Sequence, residues 1–230
     1  KFLNISLERD ELGKNIGGYL PRGAVVLIEG APSTGKSILA QRFTYGLLQN
    51  GSTVTYISTE LNLMGFLNQM NSVDYQIYED IIGEKLLFLS LLPQIGETEI
   101  KKNMIFDLLT SKKVFERDCA VVDVVSEFMV SNDISKEDIF QVSKQLTRIA
   151  GLGKTLILCV DPDQINKQFL DMLRGNSDVY FFTEAKMVLG NMLRIINTQR
   201  FKMAAGEVSN AVPFKVIPKA GLAIEIASLS

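Results

Sequence analysis

Short apolar runs rich in β-branched residues alternate with segments of helical periodicity over the first two-thirds of the chain. The strand-like runs are 24–28, 54–58, 85–91, 119–125 and 155–160. The helical patterns occur near 36–50, 97–109 and 135–149. Continuous apolar strands that alternate with helices are typical of a parallel sheet covered by helices on both faces. The pattern therefore predicts an α/β fold with a mostly parallel sheet.

After Ser177 the pattern changes to successive strand-like runs without helices between them. These runs are 179–189, 192–198, 212–217 and 222–226, joined by turns that contain Gly, Asn and Pro. Such spacing favours antiparallel β-hairpins. No long linker, low-complexity tract or internal repeat divides the chain. The sequence therefore predicts one domain, 1–230, in which hairpins extend the sheet at its C-terminal end.

A phosphate-binding motif lies between the first strand-like run and the first helical pattern. Residues 30–37 read G-A-P-S-T-G-K-S, which matches the P-loop pattern G-x-x-x-x-G-K-[ST]. Glycines let the loop backbone approach phosphates, and its N–H groups form an anion nest closed by the positive end of the helix. We expect Lys36 to reach the β and γ phosphates and Ser37 to ligate Mg²⁺. The predicted nucleotide-binding residues are Gly30, Ala31, Pro32, Ser33, Thr34, Gly35, Lys36, Ser37 and Ile38.

A second Gly-Lys-Thr, at 153–155, is interpreted as a turn. Arg148 stands where the motif requires its first glycine, and a strand-like run rather than a helix follows. Without that glycine and a helix dipole, the segment has little hold on phosphate. The preceding helix is predicted to open with a capping box of Ser135 and Asp138 and to end near Gly151.

Two acidic residues complete the predicted site. Asp123 follows the apolar run Ala120-Val121-Val122 and is the candidate Walker B aspartate, which would hold Mg²⁺ together with Ser37. The alternative is an aspartate that caps local backbone N–H groups. Glu60 ends the run 54–60, where parallel sheets place their ligands, so it could orient or deprotonate water. The alternative is a solvated glutamate that starts the next helix.

Composition narrows the classes of function. The chain is 47% hydrophobic and 22% charged, with a formal net charge of −2. This balance is typical of a soluble globular protein and argues against a general polyanion-binding surface. Histidine is absent, so a general base must be a carboxylate. Cys119 and Cys159 lie in separate apolar runs and are interpreted as reduced core thiols, and neither a membrane span nor a signal peptide is predicted.

Several segments together resemble the KaiC-like branch of the RecA superfamily. They are residues 12–23, the P-loop, Gln41-Arg42-Phe43-Thr44-Tyr45-Gly46 and Tyr56-Ile57-Ser58-Thr59-Glu60. Within this branch the chain is most similar to the single-domain ATP-binding family of the archaellum, the archaeal flagellum. The resemblance implies a RecA-like P-loop NTPase fold, with ATP and Mg²⁺ near a subunit boundary and six-membered rings.

The resemblance also implies roles for individual residues. It gives Glu60 the position of the catalytic glutamate and Asp123 that of the Walker B aspartate. KaiC-like ATPases carry a K-x-R pair that reaches the phosphates of the neighbouring subunit, and Arg200-Phe201-Lys202 lies close to that place in reversed order. The alternative is that Arg200 and Lys202 are two basic residues on a solvated strand.

The family implies a regulatory role at the cytoplasmic face of the membrane, reached through partners. These would be the motor ATPase FlaI, the platform protein FlaJ and the ring protein FlaX. Hydrolysing relatives often have paired glutamates where this chain has Glu60-Leu61, a serine where it has Val124 and a glycine where it has Ser33. Because turnover requires placement of one water whereas binding rests on the nest, we expect ATP binding with slow or absent hydrolysis.

Two other functions stay open at this stage. The first is a RadA-like recombinase paralogue that binds single-stranded DNA, although residues 161–168 carry one lysine balanced by acids and no helical DNA-binding domain is appended. The second is a KaiC-like autokinase, although such proteins carry two tandem ATPase domains. The sequence favours neither, and we expect no direct contact with DNA.

Overall fold

Helices and strands alternate through the residues that the computed structural model describes, which are 1–92, 104–128, 134–188 and 190–225. The strands are β1 (Phe2–Asn4), β2 (Tyr19–Pro21), β3 (Val25–Glu29), β4 (Val54–Ser58), β5 (Leu86–Ser90), β6 (Cys119–Asp123), β7 (Thr155–Val160), β8 (Val179–Val188), β9 (Asn191–Phe201), β10 (Ala211–Ile217) and β11 (Gly221–Ile224). The helices are α1 (Leu12–Asn15), α2 (Lys36–Gln49), α3 (Leu63–Ser72), α4 (Tyr78–Ile82), α5 (Met104–Thr110), α6 (Lys136–Gly151) and α7 (Lys167–Asn176).

One nine-stranded sheet runs through the molecule in the order β11-β10-β9-β8-β3-β7-β6-β4-β5. The strands from β8 to β5 in this order are parallel, and β9, β10 and β11 add to the β8 edge in antiparallel pairs. A separate antiparallel pair joins β1 to β2. The predicted α/β fold, a mostly parallel sheet with C-terminal hairpins, is confirmed. The P-loop strand β3 lies between β7 and β8, in the interior of the sheet.

Both faces of the central parallel strands β3, β4, β6 and β7 are buried, which explains their nearly continuous apolar runs. Val26 and Ile28 of β3 pack in the layer that contains α2 and α3. Val25 and Leu27 pack in the opposite layer, with α6 and α7. Alternate residues of a strand point to opposite faces, so a strand covered on both sides needs apolar side chains throughout.

A buried ion pair attaches the N-terminal segment to α2. Arg42 is fully buried and donates from Nε and Nη2 to the carboxylate of Asp10, at 2.5 and 2.7 Å. Its Nη1 donates to the carbonyl of Ile5 at 2.7 Å. These bonds fix residues that precede the sheet against the helix that follows the P-loop.

Several predicted boundaries shift in the structure. The run 119–125 ends as a strand at Asp123 and continues as a 3₁₀ turn, Val125–Phe128. The helix predicted near 97–109 is described from Met104 onward, and its earlier part lies outside the described residues, as do Leu189 and Ile226 of the predicted strands. The capping box of Ser135 and Asp138 is confirmed. Not predicted were the β1–β2 pair and the helices α1, α3, α4 and α7.

The two cysteines lie in the core, as the sequence predicts. Cys119 and Cys159 are free and buried, as expected of core thiols. None of the helices within the described residues has the length and apolar character needed to cross a membrane.

Candidate nucleotide-binding site

Residues 30–35 connect β3 to α2 in a tight loop that depends on its two glycines. Gly35 is the N-cap of α2 and has φ +102°, a left-handed conformation that favours glycine. A Cβ atom on Gly35 would lie 2.8 Å from Cζ of Phe214. A Cβ atom on Gly30 would lie 2.2 Å from Oγ1 of Thr183. The predicted strand, loop and helix are therefore present, and the C-terminal strands press against the loop.

The loop opens into a cleft with a volume of about 530 Å³. The predicted residues that line it are Pro32, Ser33, Gly35, Lys36, Ser37 and Ile38. Lys36 is buried, and its ammonium donates to the carbonyl of Ala31 at 2.8 Å. Thr34 bonds the same carbonyl through its hydroxyl at 2.7 Å and contacts Oγ1 of Thr183 at 2.8 Å. Phosphate would thus meet one lysine and the N-terminus of a 14-residue helix.

Ser37 lines this cleft and contacts the buried carboxylate of Asp123. The Ser37 hydroxyl donates to Oδ1 of Asp123 at 3.0 Å, and the Tyr56 hydroxyl donates to Oδ2 at 2.7 Å. Burial raises the pKa of the Asp123 carboxyl above its ordinary value, although the bonds from Tyr56 and Ser37 and the charge of Lys36 act in the opposite direction. Side-chain hydroxyls therefore bind this carboxylate. The alternative interpretation, in which Asp123 caps local backbone N–H groups, does not describe these bonds.

The oxygen donors at this point fit a Mg²⁺ ion. A serine hydroxyl and a carboxylate beside a phosphate-binding loop are the kind of ligands that Mg²⁺ uses when nucleotide phosphates and water complete its shell. Within the described residues no group of three or more His, Cys, Asp or Glu side chains could hold a metal by itself. Ser37 and Asp123 offer oxygen donors of the kind that a nucleotide-bound Mg²⁺ uses.

Glu60 lines the cleft just beyond the carboxyl end of β4. The Ser58 hydroxyl oxygen accepts from the backbone N–H groups of Glu60 and Leu61, at 3.3 and 2.9 Å, which fixes the turn. Asn62 caps α3 by accepting from the N–H of Gly65 at 2.8 Å. Because Asn62 begins that helix, Glu60 lies outside it, at the wall of the cleft.

Asp118 lies at the other end of β6, where Thr53 and Arg22 hydrogen-bond its carboxylate. Although burial alone would raise its pKa, hydrogen bonds from Thr53 and Arg22 lower it below the ordinary value. Arg22 pairs with it at 2.8 Å. The second Gly-Lys-Thr, at 153–155, connects the end of α6 to the start of β7 and is a helix-to-strand turn, as predicted.

Arg200 and Lys202 are not brought to this chain's own cleft. They lie where β9 pairs with the start of β8, at the end of the parallel strands opposite the P-loop. Nη1 of Arg200 donates to the carbonyls of Arg174 and Ser177 at 2.7 and 2.8 Å, at the C-terminus of α7. Lys202 pairs with Asp178 at 3.2 Å. Contact with a neighbour's phosphates stays a prediction.

Arg194 is a cation of the site that the sequence did not indicate. Its Nε donates to the carbonyl of Ser33 at 3.1 Å, and the side chain lines the cleft from β9. Thr183, on β8, supports the loop from the same side. The run 192–198 was recognisable as a strand, but nothing local to it specifies that its arginine meets a loop 161 residues earlier.

Comparison with known proteins agrees with this fold. The model of the family "ATPase: KaiC" matches residues 9–207, and the chain belongs to the KaiC-like ATPases. Within them it belongs to the FlaH family. It is 34% identical to the archaeal flagellar ATP-binding protein FlaH of Methanocaldococcus jannaschii, with 98% of this chain and 97% of the relative covered. It is 33% identical to FlaH of Methanococcus voltae over the whole of both chains.

A solved structure gives the same result. The crystal structure of the flagellar accessory protein FlaH from Methanocaldococcus jannaschii superposes with a TM-score of 0.90 at 32% identity, and covers 99% of this chain and 100% of that one. The two proteins therefore have the same fold over nearly their whole lengths.

Proposed function

We propose that the chain is the ATP-binding component of an archaellum motor and that it binds Mg²⁺ and ATP in the cleft of residues 30–38. The observation that carries this proposal is the P-loop at the start of α2, with Ser37 and Asp123 joined at 3.0 Å beside it. The FlaH relatives are named as ATP-binding proteins of the archaeal flagellum.

The loop binds by electrostatics and shape. Its backbone N–H groups and the α2 dipole attract the phosphates. The Lys36 ammonium gives up its hydrogen bond to the Ala31 carbonyl and donates to a phosphate oxygen instead. Bound Mg²⁺ neutralises phosphate charge and orients the γ phosphate. Arg194 adds positive charge from the side of β9.

Hydrolysis is proposed to be slow or absent, with Glu60 as the residue that orients water. Glu60 is at the wall of the cleft, as a water-orienting carboxylate must be. Its neighbour is Leu61, so the second carboxylate of hydrolysing relatives is missing. At such a site ATP stays bound for a long time before it is hydrolysed, which suits a nucleotide-dependent regulator.

The regulator is proposed to work as a hexameric ring at the cytoplasmic face of the membrane. Its partners would be the motor ATPase FlaI, the platform protein FlaJ and the ring protein FlaX, which are the partners that family resemblance implies. Arg200 and Lys202 lie at the opposite end of the sheet from the P-loop, so an adjacent subunit is the one whose phosphates they could contact. Membrane contact would come through these partners.

The connection between β7 and α7 bears on the recombinase alternative, which needs a flexible basic loop there. Asp161 is buried, its backbone N–H bonds the Ser126 hydroxyl at 2.7 Å, and Asn166 caps α7. Lys167 is already part of the helix. This geometry favours the motor function over DNA binding.

The experiment compares two lysines of similar sequence context. Lys36→Ala removes the phosphate contact and is expected to weaken ATP binding at least tenfold, about 1.4 kcal/mol, and to abolish ATP-dependent assembly and binding of FlaI. Lys154→Ala, in the second Gly-Lys-Thr, is the matched control and is expected to bind ATP normally. Calorimetry, mass photometry and co-purification with FlaI measure the three properties. Unchanged values for Lys36→Ala would refute the proposed function.

A further inference from the structure

Tyr56, like Thr55 and Ser58, places a hydroxyl group in the buried strand β4. Its ring is fully buried and packs against the rings of Phe66 on α3 and Phe88 on β5. A phenylalanine would fill this space equally well. Burying a hydroxyl is unfavourable unless it is hydrogen-bonded, so the position of this oxygen needs a partner to justify it.

The partner of this hydroxyl is the candidate Mg²⁺ ligand. Tyr56 donates to Oδ2 of Asp123 at 2.7 Å, while Ser37 donates to Oδ1 at 3.0 Å. Each carboxylate oxygen therefore has its own hydroxyl donor, from a different element. Two such bonds fix the rotation of the carboxylate about its Cβ–Cγ bond and keep Oδ1 toward Ser37 and the cleft.

A second buried side chain, Gln41 on α2, adjoins the Tyr56 hydroxyl. Its amide nitrogen donates to Oε1 of Gln69 on the cleft wall, and its own Oε1 has no hydrogen-bond partner among the described residues. Because a carboxylate oxygen only accepts, the Tyr56 hydroxyl supplies the proton of its bond to Asp123.

We propose that Tyr56 is a positioning residue of the Mg²⁺ site, which orients the Asp123 carboxylate for the metal that accompanies the nucleotide. The inference rests on the proposed function, because it assigns Tyr56 to the metal of the same nucleotide site. Side chains that orient a metal ligand from behind typically change metal affinity roughly 10–100-fold when they are removed.

The test separates the metal from the nucleotide. Tyr56→Phe removes only the hydroxyl and keeps the ring contacts. We expect ATP affinity in EDTA to stay within about twofold of the unsubstituted protein, and the Mg²⁺ concentration that gives half-maximal enhancement of ATP binding to rise at least about tenfold. Titration of Mg²⁺ at fixed ATP, followed by calorimetry, measures both.

Tyr75→Phe is the matched control. Tyr75 is also a fully buried tyrosine, but its hydroxyl lies 3.4 Å from the backbone N–H of Leu222 and does not touch Asp123. It should leave the Mg²⁺ midpoint unchanged. A Mg²⁺ midpoint for Tyr56→Phe within twofold of the unsubstituted protein would overturn the positioning role. Absence of ATP binding in the unsubstituted protein would instead refute the proposed function.

A double variant covers the case in which Tyr56→Phe does not fold. If Tyr56→Phe does not fold but Tyr56→Phe/Asp123→Asn does, the result supports the pairing of the two residues. Without the Tyr56 hydroxyl the Asp123 charge is buried and unpaired, whereas asparagine carries no charge. Failure of both variants would assign Tyr56 to the scaffold and overturn the proposal. If both fold, Tyr56→Phe should change the Mg²⁺ response only when Asp123 is present.

Discussion

At the scale of single residues, the buried carboxyl of Asp123, the proposed Mg²⁺ ligand, opposes stability. Burial raises the pKa of its carboxyl from the ordinary value of 3.8, and the bonds from Tyr56 and Ser37 compensate for this only in part. The folded, nucleotide-free protein therefore binds a proton at Asp123 more tightly than the unfolded chain does. It follows that this carboxyl lowers the free energy of unfolding as the pH rises from about 3.8 through the raised pKa.

Replacement of Asp123 by asparagine should stabilise the nucleotide-free protein at pH 7. Asp123→Asn removes the buried charge, so its free energy of unfolding should exceed that of the unsubstituted protein at pH 7, and the difference should shrink toward pH 4 as Asp123 becomes protonated. Urea unfolding at several pH values measures this. The same variant should lose the Mg²⁺ enhancement of ATP binding. A lower stability at pH 7, or a difference independent of pH, would contradict the explanation.

The residues of the site differ in how far the sequence could predict them. The P-loop positions and Asp123 follow from a local pattern of glycines, lysine and a charge after an apolar run. Tyr56 and Arg194 do not, since their partners lie 67 and 161 residues away in sequence. Their roles depend on strand order and register, which local patterns leave undetermined.

At the scale of elements, the P-loop and the C-terminal strands form one unit. Phe214 of β10 lies beside Gly35, and Thr183 of β8 lies beside Gly30. The P-loop is therefore enclosed by strands that follow it by about 150 residues or more. Substitutions in the loop should disturb those strands as well as the nucleotide.

Two glycines with positive φ provide a controlled comparison. Gly35 has φ +102° and would bring a Cβ to 2.8 Å from Phe214, whereas Gly51 has φ +80° and open space around it. Gly51→Ala should cost roughly 1–2 kcal/mol of stability from backbone strain and leave ATP affinity unchanged. Gly35→Ala should cost more and should weaken ATP binding at least about tenfold. Urea unfolding and calorimetry measure both, and equal effects of the two substitutions would contradict the packing argument.

The elements that were missed share a physical cause. The strands β1 and β2 have three residues each, too few for a periodic pattern, and Asp10 and Arg42 hold the segment that contains them. Helix α3 contains Gly65 and two asparagines, Asn68 and Asn71, which weaken its local signal. By contrast, the central parallel strands β3, β4, β6 and β7 are buried on both faces and were predicted to within a few residues.

At the scale of the whole molecule, the two ends of the sheet carry different groups. The P-loop, Glu60 and Asp123 lie at the carboxyl end of the parallel strands, and Arg200 and Lys202 lie at the opposite end. A ring in which one subunit presents the second end to the first end of its neighbour would bring all five groups together. The alternation of strands and helices in the sequence was enough to predict the class of fold. The separation of these groups to opposite ends of the sheet depends on strand order, which the sequence pattern does not specify.

Lys202 is the cleaner probe of the proposed ring, because Arg200 also binds the C-terminus of α7. Lys202→Ala removes a surface ion pair, which should change monomer stability by about 0–1 kcal/mol. It should nevertheless weaken Mg²⁺- and ATP-dependent assembly. Lys14→Ala, which removes an exposed ion pair to Glu11 at 3.1 Å, is the control. Mass photometry with and without ATP measures assembly, and equal behaviour of both variants would make Lys202 an ordinary surface residue.

The contact of Thr183, Arg194 and Phe214 with the P-loop has a consequence for the order of events during synthesis. The P-loop leaves the ribosome early, but the residues that enclose it follow about 150 to 180 positions later. Nascent chains that lack those strands have an incomplete cleft. Under the proposed function, ATP would stabilise only chains whose residues through Phe214 have emerged from the ribosome.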